Sequence, residues 1–148
     1  MTRFAFPLEV VREHSDEVLF LAGASAADWA AIFTFAEPRD FTEGEQIVAE
    51  GAPDRALYFL TEGSVRLMGG GLFKTIDAPS VLGEIAFLDG GPRSAALWGA
   101  SDGQLARFDR DAYEALSAPD ADLGGRIALD LGRVAALRLR MAEQARNT

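Results

Sequence analysis

The chain has 148 residues, 49% of them hydrophobic, and a net charge of -9 from 14 Lys and Arg against 23 Asp and Glu. This is enough apolar material for one core, and the acid excess repels nucleic acid on average, which speaks against DNA binding. With no cysteine and a single histidine, His14, the sequence excludes disulfides and thiolate metal sites and offers no histidine cluster for zinc or for a triad.

No basic stretch followed by a long apolar run opens the chain, and no apolar run approaches the roughly 18 residues a bilayer span requires. A cytoplasmic protein is expected, folded as a single domain over 1–148. Residues 4–22 mix aromatic and aliphatic side chains with His14-Ser15-Asp16-Glu17 and fit a strand, a turn or a helical piece. Ser25 and Asp28 have the spacing of a capping box, which predicts a helix within about 24–37 with Trp29, Ile32 and Phe33 on its apolar side. Pro38 then ends it, since the residue before proline avoids the helical region.

From Arg39 to Phe108 the pattern changes to short strands and turns. Phe41 is expected to start the first clear strand. Gln46–Glu50, Arg55–Leu60, Val65–Met68, Leu72–Ile76, Leu97–Ala100 and Gln104–Phe108 follow, separated by glycine turns at Gly44, Gly51, Gly63 and Gly69–Gly71. Many short strands with such turns predict an antiparallel roll or jelly roll. Helices are expected over 109–146: a short one opened by Asp109 and closed near Pro119, then a long one from about Leu123 to Ala145. Leu123, Ile127, Leu131, Val134, Leu137 and Met141 recur on one face of the long helix, while Leu129, Ala136 and Leu139 widen the apolar surface toward a second side. One side is expected to pack on the roll and the other on a second copy. Arg126, Arg133, Arg138 and Arg140 read as a solvated face, and Met68 and Met141 as apolar filling.

The segment with the most chemistry is Gly83-Glu84-Ile85-Ala86-Phe87-Leu88-Asp89-Gly90-Gly91-Pro92-Arg93-Ser94-Ala95-Ala96. Arg93 supplies a planar fork that matches phosphate oxygens. Glu84, an acceptor when ionised, suits a sugar hydroxyl. Residues 84–88 fit one helical turn whose first N–H groups face an anion. Spacing alone leaves a second reading open, in which Glu84 and Arg93 pair across the loop.

This segment resembles the phosphate-binding cassette of the cyclic-nucleotide-binding domain family, and the resemblance extends over roughly 25–145. Phe41–Gly51 and Leu57–Val65 look like the family's opening strands and turns. The resemblance implies a mainly β fold with flanking helices, an antiparallel β-roll (double-stranded β-helix) with a long C-terminal helix. It also implies non-catalytic binding of cAMP or cGMP inside the roll, with no cofactor beyond that ligand. By motif, Glu84 resembles the glutamate that accepts the ribose 2′-OH and Arg93 the arginine on the cyclic phosphate. Ser94 resembles the hydroxyl residue beside that arginine. Gly83, Ile85, Ala86 and Ala95 fall at positions that bring backbone to the ligand or keep its wall tight. In the family a C-terminal helix often lids the pocket, which makes Leu131, Val134 and Arg138 the candidates for base or lid contacts. No helix-turn-helix segment follows, so the expected protein is a stand-alone sensor, a homodimer through its long helix, with a possible separate effector protein. The alternative is an interaction module that keeps the fold without sensing a nucleotide.

Overall fold

The computed structural model describes residues 20–21, 23–69 and 71–146; the reading of 4–19, His14 included, lies outside them. Helix α1, Ala26–Phe35, begins at the expected capping box: Asp28 N–H donates to Ser25 Oγ at 3.1 Å, and Ser25 N–H to the Asp28 carboxylate at 3.0 Å. Two orphan donors at the helix start are thereby satisfied. The chain then enters strand β1, Glu37–Phe41. Phe41 therefore ends the first strand rather than starting it. Pro38 is accommodated because β1 is an edge strand, paired only with β8, where a missing ladder donor is tolerated.

The other elements are β2 (Gln46–Val48), β3 (Leu57–Glu62), β4 (Ser64–Gly69), β5 (Leu72–Asp77), β6 (Ser80–Leu82), helix α2 (Glu84–Asp89), β7 (Ala96–Gly99), β8 (Gly103–Phe108), helix α3 (Arg110–Ser117) and helix α4 (Ala121–Arg146). The strands form two four-stranded antiparallel sheets, ordered β1-β8-β3-β6 and β2-β7-β4-β5. Apart from the β4–β5 hairpin, successive strands pass back and forth between the sheets, which winds the chain into a jelly-roll-like β-roll with its helices at one side. Between β3 and β4, Gly63 holds φ +85°, and a Cβ there would lie 2.5 Å from the Asp102 carbonyl oxygen, so the turn requires glycine.

Strand β3 explains how the core is divided. Leu57, Tyr58, Phe59 and Leu60 are all buried. An alternating strand buried at every position must be covered on both faces. Phe59 and Leu57 join the core beneath the helices with Trp29, Ile32, Phe87, Phe108, Leu116 and the α4 residues Leu123, Ile127, Leu131 and Val134. Tyr58 and Leu60 face the other way, into the roll, beside Ile47, Val48, Val65, Ile76, Leu82, Leu97 and Leu105.

The C-terminal helices are fixed by polar contacts as well. Asp109 caps α3 by accepting from Ala112 N–H at 2.8 Å. Tyr113 Oη donates to the Gly124 carbonyl at 2.8 Å, and Gly124 lies against Ser117 so closely that a Cβ would collide. Arg126 pairs with Asp122 at 3.1 Å and with Asp28 at 3.2 Å, which ties α4 to the start of α1. Asp28 is held below the usual carboxylate range, first by the Ser25 N–H and then by Arg126, which together outweigh burial. Asp130 accepts from Leu21 N–H at 2.8 Å and pairs with Arg133.

Candidate functional site

The inner face of the roll does not fill completely. A cavity of about 410 Å³ remains, within the usual range of roughly 300–1,000 Å³ for small-molecule sites. Its walls come from Val48 on β2, Tyr58 on β3, Leu67 on β4, Lys74 and Ile76 on β5, Leu82 on β6 and Leu97 on β7. The cassette contributes Gly83, Glu84, Ile85, Ala86, Arg93, Ser94 and Ala95, and α4 contributes Arg138, Met141, Ala142 and Ala145. All seven cassette residues singled out by motif thus border one space.

The cassette bends around two glycines. Gly83, at φ +81°, turns β6 into α2, and Gly90, at φ +75°, closes α2 with its N–H on the Ala86 carbonyl. A Cβ on Gly83 would run into Arg93 Nη1, so the missing side chain is what admits the guanidinium. Within α2, Glu84, Ala86 and Phe87 are buried, whereas Ile85 is exposed at its rim. The N–H groups of the first turn have no partner within the helix.

Arg93 and Glu84 are each only 6% exposed, and a buried charge must be compensated. They are not compensated by each other. Arg93 Nη2 pairs with Asp54 at 3.0 Å and also donates to the Ala56 carbonyl; Nη1 donates to the Gly83 carbonyl at 3.3 Å. The guanidinium also lies 5.4 Å from the centre of the Tyr58 ring. Its Nε is buried and makes no hydrogen bond. Glu84 is met by Arg138, whose Nη1 donates to Oε1 while Nη2 donates to the Val81 carbonyl at 2.8 Å. Arg138 thus fastens α4 to both the cassette and β6.

Asp54 is the organising group that the sequence reading missed. Its Oδ2 accepts from Arg93 and from Tyr58 Oη at 2.8 Å, and its Oδ1 accepts from Ala56 N–H at 3.0 Å and from Arg107 at 3.1 Å. Burial pushes its pKa up, but the Ala56 N–H, Arg93 and Tyr58 outweigh this and hold the carboxyl down at about 2. Burial, and after it the same carboxylate, raises the Tyr58 phenol above its ordinary value. In sequence Asp54 reads as the last residue of a Gly-Ala-Pro-Asp turn, and nothing there signals a partner 39 positions away.

Of the three helix candidates, Arg138 borders the cavity. Leu131 and Val134 lie in the core beneath the helices, fully covered and away from the cavity wall. The reason is the course of α4: its first four turns lie on that core, and it reaches the cavity only from Arg138 onward. Met141, read as filling, is 42% exposed and forms part of the cavity's cover. Ser94 is exposed at the rim.

Comparison with known proteins agrees with this geometry. Residues 38–120, more than half of the chain, match the family model described as "Cyclic nucleotide-binding domain". The chain belongs to the cyclic nucleotide-binding domain family. It is 32% identical over 135 residues to a CRP-like cAMP-activated global transcriptional regulator of Mycobacterium tuberculosis, covering 84% of this chain and 58% of that protein. It is 29% identical over 111 residues to a cAMP-dependent protein kinase regulatory subunit of Aspergillus niger, covering 73% of this chain and 27% of that one. The Thermus thermophilus catabolite activator protein superposes with a TM-score of 0.74 at 27% identity, over 86% of this chain and 61% of that chain. The chain therefore spans between about a quarter and three-fifths of the length of these three proteins. Domains of this family bind a cyclic nucleotide as sensors and are not catalytic, and no group of metal-ligating side chains occurs among the described residues. Among them, too, no helix is long and apolar enough to cross a membrane.

Proposed function

We propose that the cavity binds a purine 3′,5′-cyclic monophosphate, with its phosphate at Arg93 and Ser94 and its ribose hydroxyl at Glu84. The observation that carries this reading is that Arg93 and Glu84, both buried, border the same largely apolar cavity, while Arg93 Nε is unpartnered. A buried guanidinium with a spare donor favours an anion, and its attraction is stronger in a partly dry site than in water. Asp54 holds the guanidinium in place without using Nε. The apolar wall of Val48, Leu67, Ile76 and Leu97 suits the faces of a base. Two of the matched proteins carry cAMP in their names, which supports a cyclic nucleotide as the ligand class.

Occupancy has a route to the surface. A ribose hydroxyl at Glu84 competes for the carboxylate that Arg138 holds, so ligand and α4 are coupled through one acceptor. Such coupling requires α4 to contact the bound and empty states differently. On the outward side of α4, Leu129, Gly132, Ala136 and Leu139 follow spacings of three, four and three. Leu129 and Leu139 are 68% and 58% exposed, and nothing lies within 4 Å of a Cβ placed on Gly132. This spacing suits the seam of a two-stranded coiled coil, and a second copy of α4 is its proposed occupant, in a proposed homodimer. The readout then passes through that dimer, or through a separate effector protein, without direct contact to DNA.

The test is calorimetric titration of folded, ligand-stripped protein with cAMP, cGMP and 5′-AMP. Micromolar or tighter binding of a cyclic nucleotide, with 5′-AMP much weaker, is expected. Absence of heat with both cyclic nucleotides contradicts the reading and favours an interaction module working through α4.

A further inference from the structure

Arg93 carries the proposed phosphate contact from a loop, between Gly90, which closes α2, and Ala96, which opens β7. Its backbone is tied to a neighbouring turn: Arg93 N–H donates to the Ala52 carbonyl at 3.0 Å, and Gly51 N–H to the Arg93 carbonyl at 2.8 Å. Neither bond fixes the long side chain, which turns about several single bonds. Its hydrogen bonds to Asp54, the Ala56 carbonyl and the Gly83 carbonyl all lie at the Nη end. Such bonds act in the plane of the guanidinium. They leave its tilt out of that plane, and so the heading of the unpartnered Nε, to be set by what lies against the flat face.

Tyr58 lies there. The guanidinium carbon is 5.4 Å from the centre of the phenol ring, within cation–π range. Tyr58 is buried on β3, a strand paired on both sides, with Leu82 of β6 opposite it on one side and Arg107 of β8 on the other. A residue on such a strand is better fixed than one on a loop. Its Oη donates to Asp54 Oδ2 at 2.8 Å, the oxygen that also accepts from Arg93 Nη2 at 3.0 Å. The other oxygen, Oδ1, is drawn toward Ala56 N–H and Arg107. The phenol therefore holds the carboxylate on the Arg93 side while its ring covers one face of the guanidinium. A phenylalanine would fill the same space beside Leu60, Leu82 and Leu105 and supply the ring without that bond.

We infer that Tyr58 is a positioning residue for Arg93: its ring and its Oη together hold the guanidinium so that Nε is offered to the phosphate. The inference rests on the cyclic-nucleotide reading of the site. Tyr58 acts through Arg93 on the part of the ligand that cAMP and cGMP share. It therefore sets affinity for both alike and leaves the choice of base to other residues. The ring also borders the cavity, and a contact between it and the base would instead separate the two ligands.

The experiment titrates the ligand-stripped full chain, as wild type, Tyr58→Phe, Tyr58→Leu and Leu60→Val, with cAMP and cGMP. It also follows the Arg93 Nε–H signal by NMR, identified by its absence from Arg93→Lys. Leu60 is buried on the inner side of the same strand but does not border the cavity, so Leu60→Val measures what a loosened core does to affinity. Wild type is expected to show the Nε–H signal before ligand is added and to shift it on binding. Tyr58→Phe keeps the ring and is expected to bind both ligands about threefold more weakly. Tyr58→Leu loses both contacts and is expected to bind both at least about tenfold more weakly, with the signal broadened by exchange with water. Leu60→Val keeps wild-type affinity and signal. Wild-type affinity in both Tyr58 variants overturns the inference. So does a Tyr58→Leu loss that Leu60→Val matches, which reports general softening, or one that falls on a single ligand, which assigns the ring to the base. Where Tyr58→Leu does not fold, Tyr58→Phe decides, and unchanged affinity and signal overturn the inference. All these outcomes leave the site reading intact. If wild type binds neither ligand, the site reading and the inference fall together.

Discussion

The two faces of the sheet β1-β8-β3-β6 are built to opposite ends. Its outer face is packed solid: Phe59 lies 5.5 to 6.1 Å, centre to centre, from Phe20, Trp29, Phe33 and Phe108, with Trp29 and Phe33 edge to face. Its inner face carries Tyr58 in place of a further phenylalanine, and there the roll stays hollow and charged. Aromatic packing of this density resists any change of volume. The hollow side accepts a lower density and a buried ion cluster, both of which reduce stability unless a ligand compensates. One strand, β3, thus separates scaffold from site, and neighbouring residues along it differ in what they do.

The largest effect that can break this contrast is on the scaffold side. Phe59→Ala is expected to cost about 3–5 kcal/mol, read as a lowered denaturant midpoint. Where the variant still folds, its nucleotide affinity is expected to stay close to that of wild type. Next is Arg93→Ala on the hollow side, expected to weaken cyclic nucleotide binding ten- to a hundredfold, about 1.4–2.7 kcal/mol, while leaving the denaturant midpoint much less altered than Phe59→Ala does. If Arg93→Ala keeps wild-type affinity, the hollow face is not the phosphate site.

Asp54 sharpens the comparison with a pH signature. Its folded pKa, about 2, lies below the ordinary 3.8. The stabilisation it provides is therefore present above about pH 4 and is lost as the pH falls toward 2. With allowance for its partial exposure, this is about 1–2 kcal/mol. Unfolding curves between pH 5 and 2 are expected to show that loss in wild type, and a shallower slope in Asp54→Asn. Identical slopes remove Asp54 from its place beneath Arg93. The smallest expected effect is Leu129→Ser: within about 0.5 kcal/mol on the stability of the individual chain, with a shift toward monomer in analytical ultracentrifugation. A monomeric wild type contradicts the proposed seam.

Much of this contrast was legible in the sequence, and the exceptions have physical causes. The capping box, the strand series and the helices after Phe108 follow from local spacing, and local spacing is what sequence displays; the cassette was read from its resemblance to a known family. The start of β1 was misplaced because Pro38 reads as a stop, and only an edge position excuses it. The open question of a Glu84–Arg93 pair could not be closed by spacing, since their partners, Arg138 and Asp54, lie 54 and 39 residues away. Leu131, Val134 and Met141 share one helical stripe, yet the first two belong to the scaffold and the third to the cavity. A stripe records which residues face inward, and what lies beneath each turn depends on where the helix passes.

The most direct test of the division between scaffold and site is an amide shift map of isotope-labelled protein titrated with cGMP and cAMP. Perturbations are expected in Gly83–Ala86, Arg93–Leu97, β5 and the α4 segment from Arg138 to Ala145, with α1 nearly unchanged. Perturbations centred on α1 and α3, with the cassette silent, would contradict the account.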